Sequence, residues 1–539
     1  MNILNLRFSI KKGSLDKISE WESRMPLLLL GILAILSIVC FYIFYDNGLG
    51  LSYNDARSHL DIGRRVVEGL KPGLAQLGSV WLPLPHLLMI PTIWHDFMWH
   101  TGLSGALPSM LSFVATSLLI YFFLQKLGVG LSGKILGVAV FVANLNVLYL
   151  QSTAMTELLL LATMTAGMYE LLKWSMDENF LNLIKSAFWI MLSSLVRYEG
   201  WFLLLYAAFL IIFIMVRKKG YKVTEGTLIL FGTLAGVGIL LWFLWNTLIF
   251  NDPLYFAYGP FSARTQQKQM ELAGVLSTKN NLLLSLKVYL FALIYNSYAY
   301  NAVLGLIGAI VFFTDKNIKP HVRFAATVLL TPLIFNVLAL FMGHSVLFIQ
   351  GISGDTWFNV RYGLMMLPSI AIFAGYLVHK AKSLRVTIIG LFVFVIFFAF
   401  TNGDAVTIDD ARVGSSQKNV SEVSGYLNTH AKNTKGFVLI SAASHDAIIF
   451  SSGLPMKRFI HEGTGGYWES ATGSPDRWAR WIVVRTNDNN DLTWKSLSEA
   501  PDSISKYKLA AKYPFADVYE LKKEYLAELI TEPILGKQK

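Results

Sequence analysis

Asp55 stands in Tyr53-Asn54-Asp55-Ala56-Arg57-Ser58-His59-Leu60-Asp61, shortly after an apolar run that spans Met25 to Tyr45. A carboxylate held at the edge of such a run is suited to work as a general base. The same position fits a helix N-cap, because Asp accepts hydrogen bonds from free helix N–H groups. Two further acids stand at the ends of apolar runs: Glu157 in Ser152-Thr153-Ala154-Met155-Thr156-Glu157, and Glu199 in Arg197-Tyr198-Glu199-Gly200. Ionisable groups beside hydrocarbon are costly and are candidates for function by default. An ion pair of Arg197 with Glu199 or Glu157 is the structural alternative. Arg361, in Trp357-Phe358-Asn359-Val360-Arg361-Tyr362-Gly363, opens a later apolar run. A guanidinium there can clamp a phosphate through two parallel hydrogen bonds, or it can snorkel to the headgroups. Arg264 and Lys268 add positive charge in a polar segment between runs.

Other patterns carry less chemistry. His59, His86, His95 and His100 match no metal-ligand spacing. Ser444-His445-Asp446 are sequence neighbours and cannot orient one another as nucleophile, base and orienting acid. Gly463-Thr464-Gly465-Gly466 lacks the lysine and helix context of a phosphate-binding loop. The single cysteine, Cys40, excludes an internal disulfide framework and a cysteine metal site.

The elements that position these residues are membrane helices. Hydrophobic residues make up 54% of the 539 positions and charged residues 15%. The apolar residues fall in blocks of about 20, each long enough to cross a bilayer. Spans are expected at 25–45, 105–124, 135–152, 156–173, 187–203 merging into 201–216, 227–249, 297–313, 324–342, 359–378 and 386–401, which makes about eleven crossings. The first run exceeds a signal-peptide core and has no clear cleavage site, so it reads as a retained anchor. Lys126 and Lys134, Lys173 and Lys185, Arg217–Lys219 and Lys222, Lys316, Lys319 and Arg323, and Lys380, Lys382 and Arg385 occupy alternate connections. The positive-inside rule then places the N-terminus in the cytoplasm and the acids outside. This pattern accounts for the net charge of +11 without nucleic acid as a partner. Three outer connections, 46–104, 250–296 and 343–358, are longer than a turn requires. In the first of them, Asp61 with Arg65 and Arg64 with Glu68 are spaced as i,i+4 pairs on a short interfacial helix. Residues 402–539 turn polar. Strands are expected at Phe437–Ser441, Arg458–His461, Trp481–Arg485 and Asp517–Leu521, with helices at Val420–Lys432 and His445–Ser451. The fold class is therefore a mainly α, multi-pass cell-membrane protein. Residues 1–401 form its transmembrane domain, and 402–539 form an extracytoplasmic α/β domain.

Together these features resemble the GT-C superfamily of membrane glycosyltransferases, above all the protein-O-mannosyltransferase and aminoarabinose-transferase-like families. An acid just after the first span, a late outer Arg361-Tyr362 and a C-terminal outer domain carry the resemblance. Asn54 stands where those families often have a second acid, so Asp61 or Glu157 would supply that role. The Trp-Trp-Asp-Tyr-Gly signature of oligosaccharyltransferases is absent. The resemblance implies an inverting glycosyltransferase that takes a monosaccharide from a polyprenyl-phosphate carrier to a hydroxyl of a lipid, glycan or protein acceptor. Asp55 would be its base, and Arg361, Arg264 and Arg197 would hold the donor phosphate. Asp55 with Glu157, or Asp61 or Glu199, would hold any divalent cation such as Mg or Mn. A transporter or flippase of a lipid-linked or anionic substrate is the other reading. It would need polar residues deep within several spans, whereas here they gather at the ends.

Overall fold

The computed structural model describes residues 12–259, 262–272, 274–413, 417–488, 490–499 and 501–534; the basic residues Arg7 and Lys11 lie outside them. Among the described residues, seven helices are long and apolar enough to cross a membrane, or eight if one bent pair counts as a span. Three expected crossings fall outside that count: 135–152 and 187–203 are broken or short, and 156–173 is one helix, Glu157–Asp177, too polar to qualify because it carries Glu157, Glu170, Lys173 and Asp177. The 135–152 run forms two helices, Leu131–Val142 and Leu145–Leu150. Asn144 separates them by accepting hydrogen bonds from the backbone N–H groups of Asn146 and Val147, at 2.9 and 3.3 Å. The 187–216 run forms Phe180–Ser194 and Glu199–Lys219. The bent pair is Leu282–Ser297 with Ala299–Thr314, turned by 110° at Tyr298, which adopts a left-handed φ of 65°.

The bundle centre is Val360–Lys380, most of whose residues are buried, while few of those in the outlying Lys382–Arg412 are. Lipid supplies no hydrophobic drive between helices, so close backbone approach has to hold the centre together. Small residues allow it. A Cβ at Gly133 would sit 2.4 Å from the carbonyl oxygen of Gly375, and one at Gly308 would sit 2.1 Å from that of Phe373. Helix α1 (Lys12–Asp46) leads into α2 (Asn54–Val67), and α3 (Leu84–Ile93) returns the chain to the bundle.

After the last apolar helix the chain forms a small sheet domain with strand order β2-β1-β3-β5-β4. Its strands are β1 (Phe437–Leu439), β2 (Phe459–Ile460), β3 (Ala479–Val484), β4 (Tyr507–Lys512) and β5 (Asp517–Leu521). β1 pairs in parallel with β2 and β3, while β5 runs antiparallel to β3 and to β4. The domain docks on α2. Arg65 Nη1 reaches Asp446 Oδ1 at 2.6 Å, Gln76 donates to the Gly463 carbonyl at 2.7 Å, and Trp99 meets Phe450 edge to face at 5.9 Å.

Asp61 is buried in this dock beside Asp446, whose side chain is 12% exposed, and Trp99 Nε1 donates to Asp61 at 3.1 Å. Burial pushes both carboxyls up; Asp446 raises Asp61 further, whereas Arg65 and a hydrogen bond with Asp61 hold Asp446 back, at about 6. A carboxyl raised in the folded state contributes stability that is present below its unfolded pKa and is lost as pH rises through the folded value. The melting temperature of the detergent-solubilised chain is therefore expected to fall as pH rises from about 4 to 7. Asp446→Asn should flatten that slope; an equal slope in wild type and variant would contradict the assignment.

Candidate active site

Asp55 lies in the first turn of α2. The helix is capped at Tyr53 without any side-chain hydrogen bond, so the N-cap role expected of Asp55 is not used. Its side chain is 43% exposed, and Oδ2 accepts from Arg361 Nη2 at 2.6 Å. Arg361 begins a 3₁₀ segment, Val360–Met366, entered through Asn359 in a left-handed conformation. That entry turns the arginine inward under α2 instead of out to the headgroups. Its guanidinium also donates from Nε to Glu157 Oε1 at 2.9 Å, and Asp410 stands 3.8 Å from Nη1. The rings of Tyr53 and Tyr362 lie 4.9 and 5.5 Å from its centre, in cation–π range.

Glu157, fully buried at the head of the Glu157–Asp177 helix, shares Oε1 with Arg197 Nη1 at 3.2 Å. Arg197 in turn meets Glu199 at 3.1 Å and lies 4.8 Å over Tyr362. The ion pairs foreseen for Arg197 form with both acids. The result is an alternating row, Asp55–Arg361–Glu157–Arg197–Glu199. Only its Asp55 end opens widely to solvent, and that carboxylate is therefore the one placed to meet a substrate.

Two candidates lie elsewhere. Asp61 is committed to the dock described above. Arg264 is exposed on the Ala263–Leu272 helix, with its guanidinium 4.8 Å over Tyr258. Several residues join the site that sequence reasoning did not single out. Asp410, from Val406–Val413 just past the last long helix, accepts from the Tyr53 hydroxyl at 3.0 Å. Its helix is pinned where Asn146 Oδ1 accepts from the Thr407 backbone and hydroxyl, at 3.0 and 2.9 Å. The rule that picked Glu157, an acid at the outer end of a span, would also have picked Asp410. Arg57 is 7% exposed, and its Nε and Nη1 have no hydrogen-bond partner among the described residues.

A divalent cation bridging Asp55 and Glu157 would need the place that the Arg361 guanidinium fills. Among the described residues no three or more His, Cys, Asp or Glu side chains converge on a common point. The residues do not fit a resident ion, and no step below is routed through one.

No protein-family model matches the sequence, and neither does any curated protein. Solved structures do. ArnT from Cupriavidus metallidurans bound to undecaprenyl phosphate superposes with a TM-score of 0.52 at 10% identity, over 90% of this chain and 98% of that one. Its apo state gives 0.53 at the same identity and coverage. The chain has the GT-C fold. An oligosaccharyltransferase from Archaeoglobus fulgidus, also a GT-C protein, aligns more loosely, with a TM-score of 0.47 at 10% identity over 93% of this chain and 75% of that one. In GT-C terms, α2 with its acid and the sheet domain packed on it extend the helical bundle at one end. The connections carrying Lys126, Asp177, Lys218, Glu178, Asp315 and Lys380 are tied by ion pairs of 2.6–3.7 Å.

Proposed function

We propose that this chain is a polyprenyl-phosphate-dependent glycosyltransferase that moves a monosaccharide to an acceptor hydroxyl with inversion. The observation that carries the reading is one half-exposed carboxylate, Asp55, fixed at 2.6 Å by a buried arginine that two other acids flank. That arrangement orients a base without leaving a charge unpaired. The GT-C fold, and an ArnT crystallised with undecaprenyl phosphate, favour a lipid-linked donor. The basic connections gather away from the site, which favours a cytoplasmic N-terminus and an extracytoplasmic site and sheet domain.

In the reaction, the acceptor hydroxyl gives its proton to Asp55 as its oxygen attacks the anomeric carbon. The bond from that carbon to the phosphate oxygen breaks, and the electron pair leaves with the polyprenyl phosphate. A single displacement inverts the anomeric centre. Arg361 and Arg197 lend positive potential to the leaving phosphate, although carboxylates already hold both. Among the described residues, Arg57 is a buried cation without such a partner. It lies within electrostatic reach of Tyr149, whose ring stacks on Tyr53 at 6.2 Å. It is the cation we assign to the donor phosphate.

The test is transfer of labelled sugar in membranes from a panel of undecaprenyl-phosphate monosaccharides. Wild-type incorporation that depends on the carrier supports the reading, whereas incorporation equal to that of empty membranes across the panel refutes it. Arg57→Ala should lower kcat/KM for the carrier by about 10- to 100-fold, the worth of one charge-assisted hydrogen bond. An unchanged value would remove Arg57 from the phosphate site.

A further inference from the structure

His59 follows Asp55 by four residues on α2, which places both side chains on one face of the helix. Its Nδ1 lies 2.8 Å from Nε2 of His86, and its ring packs at 4.2 Å on Trp81. His59 is 5% exposed and His86 fully buried. The Trp81 segment is itself fixed to the site wall: Tyr198, next to Arg197, donates to the Val80 carbonyl at 3.2 Å, and Trp245 donates to the Gly78 carbonyl at 3.0 Å.

A histidine pair held this firmly needs a reason beyond packing, since an apolar pair would fill the same space without a buried polar contact to satisfy. Burial, then Arg197, then Arg361 pull the His59 imidazole down to about 3, so the ring is neutral at physiological pH. One of the two facing nitrogens must carry the shared hydrogen. The two positive guanidiniums favour a bare lone pair on the His59 nitrogen outside the pair, which puts the hydrogen on Nδ1 and leaves Nε2 as an acceptor. Charge, rather than an observed hydrogen, makes this tautomer assignment. No hydrogen-bond partner for Nε2 is found among the described residues.

Resting on the glycosyl-transfer reading, we propose that His59, oriented by His86 and stacked on Trp81, accepts a hydrogen bond from a substrate hydroxyl one helical turn from Asp55 and so aligns that substrate for transfer. The hydroxyl belongs either to the sugar of the carrier or to the acceptor, and kinetics separate the two. Asn at position 59 keeps a donor for His86 but loses the outer acceptor. Gln restores an acceptor farther out, and Phe removes both.

The full chain in membranes, supplied with undecaprenyl-phosphate monosaccharide and the membrane component that takes up label in the transfer assay above, is assayed as wild type, H59N, H59Q and H59F. Loss of one hydrogen bond predicts a roughly 3- to 10-fold drop in kcat/KM for H59N and H59F, with H59Q recovering most of it. The drop appears in KM for the carrier if the sugar hydroxyl is held, and in KM for the acceptor if the nucleophile is held. A second measurement needs only wild type and H59N: a series of deoxy-sugar carriers and deoxy acceptors should contain one analogue that costs wild type about as much as the substitution does and costs H59N little further. H59N with wild-type kinetics, or deoxy penalties identical in the two proteins, overturns the proposal. A wild type that transfers nothing overturns the glycosyl-transfer reading and this inference with it.

Discussion

Asp55→Asn lowers transfer turnover by about 10²–10⁴-fold, the usual worth of a positioned general base, while the chain stays folded. The amide retains an oxygen to accept from Arg361 Nη2, now 2.6 Å from Oδ2, so the substitution removes basicity and little else. Asp55→Ala should be as inactive and somewhat less stable, because Arg361 then loses its nearest acid. Turnover is read as initial rate at saturating carrier, at matched expression. An Asn variant that keeps more than about a hundredth of wild-type turnover would contradict the 10²-fold minimum and move the base elsewhere. Asp410, which shares Arg361 and Tyr53 with the site, would be the next acid to replace.

Arg361→Ala has the largest expected effect on stability. Glu157 is fully buried and divides one oxygen between Arg361 and Arg197, while its Oε2 has no partner among the described residues. Removing one arginine leaves buried carboxylates short of positive charge, a defect that costs about 3–5 kcal/mol. Glu157→Gln in the same chain should return part of that loss, because the uncompensated charge goes with it. Thermal midpoints of wild type, the two single variants and the double variant in one detergent give the coupling directly. Strict additivity would mean that the Arg361–Glu157 contact contributes nothing to the fold.

The charged row was legible in the sequence because it obeys a local rule: acids and arginines at the ends of apolar runs. Asp55, Glu157, Arg197, Glu199 and Arg361 all follow it, and the structure draws them into one row. Asp61 looked equivalent, yet it faces Asp446 across 385 positions of chain, and no local pattern reveals that meeting. Arg264 is basic and outer but belongs to a separate short helix. Tyr298 hides a bend, since a positive-φ tyrosine leaves no mark in hydropathy, and sequence pattern alone places Leu282–Ser297 within a long connection. The four expected strands are present. β4 was missed because it is an edge strand with Lys508 and Lys512 and exposed positions, the features by which edges resist further pairing and lose the alternation that identifies a strand.

Helix α2 is a lever with two loads. Asp55 and His59 occupy its N-terminal half, and Arg65, ten residues beyond the carboxylate, is gripped by Asp446 of the sheet domain. At 1.5 Å per residue the arm between them is about 15 Å, so a tilt of about 4° around the Arg65 end sweeps Asp55 through about 1 Å. A displacement of that size is enough to cost an oriented reaction about 100-fold. With Asp55 as the proposed base, the grip of the sheet domain sets its aim, and a substitution far from the carboxylate, on the Asp446 side of the fulcrum, is expected to lower transfer without touching the substrates.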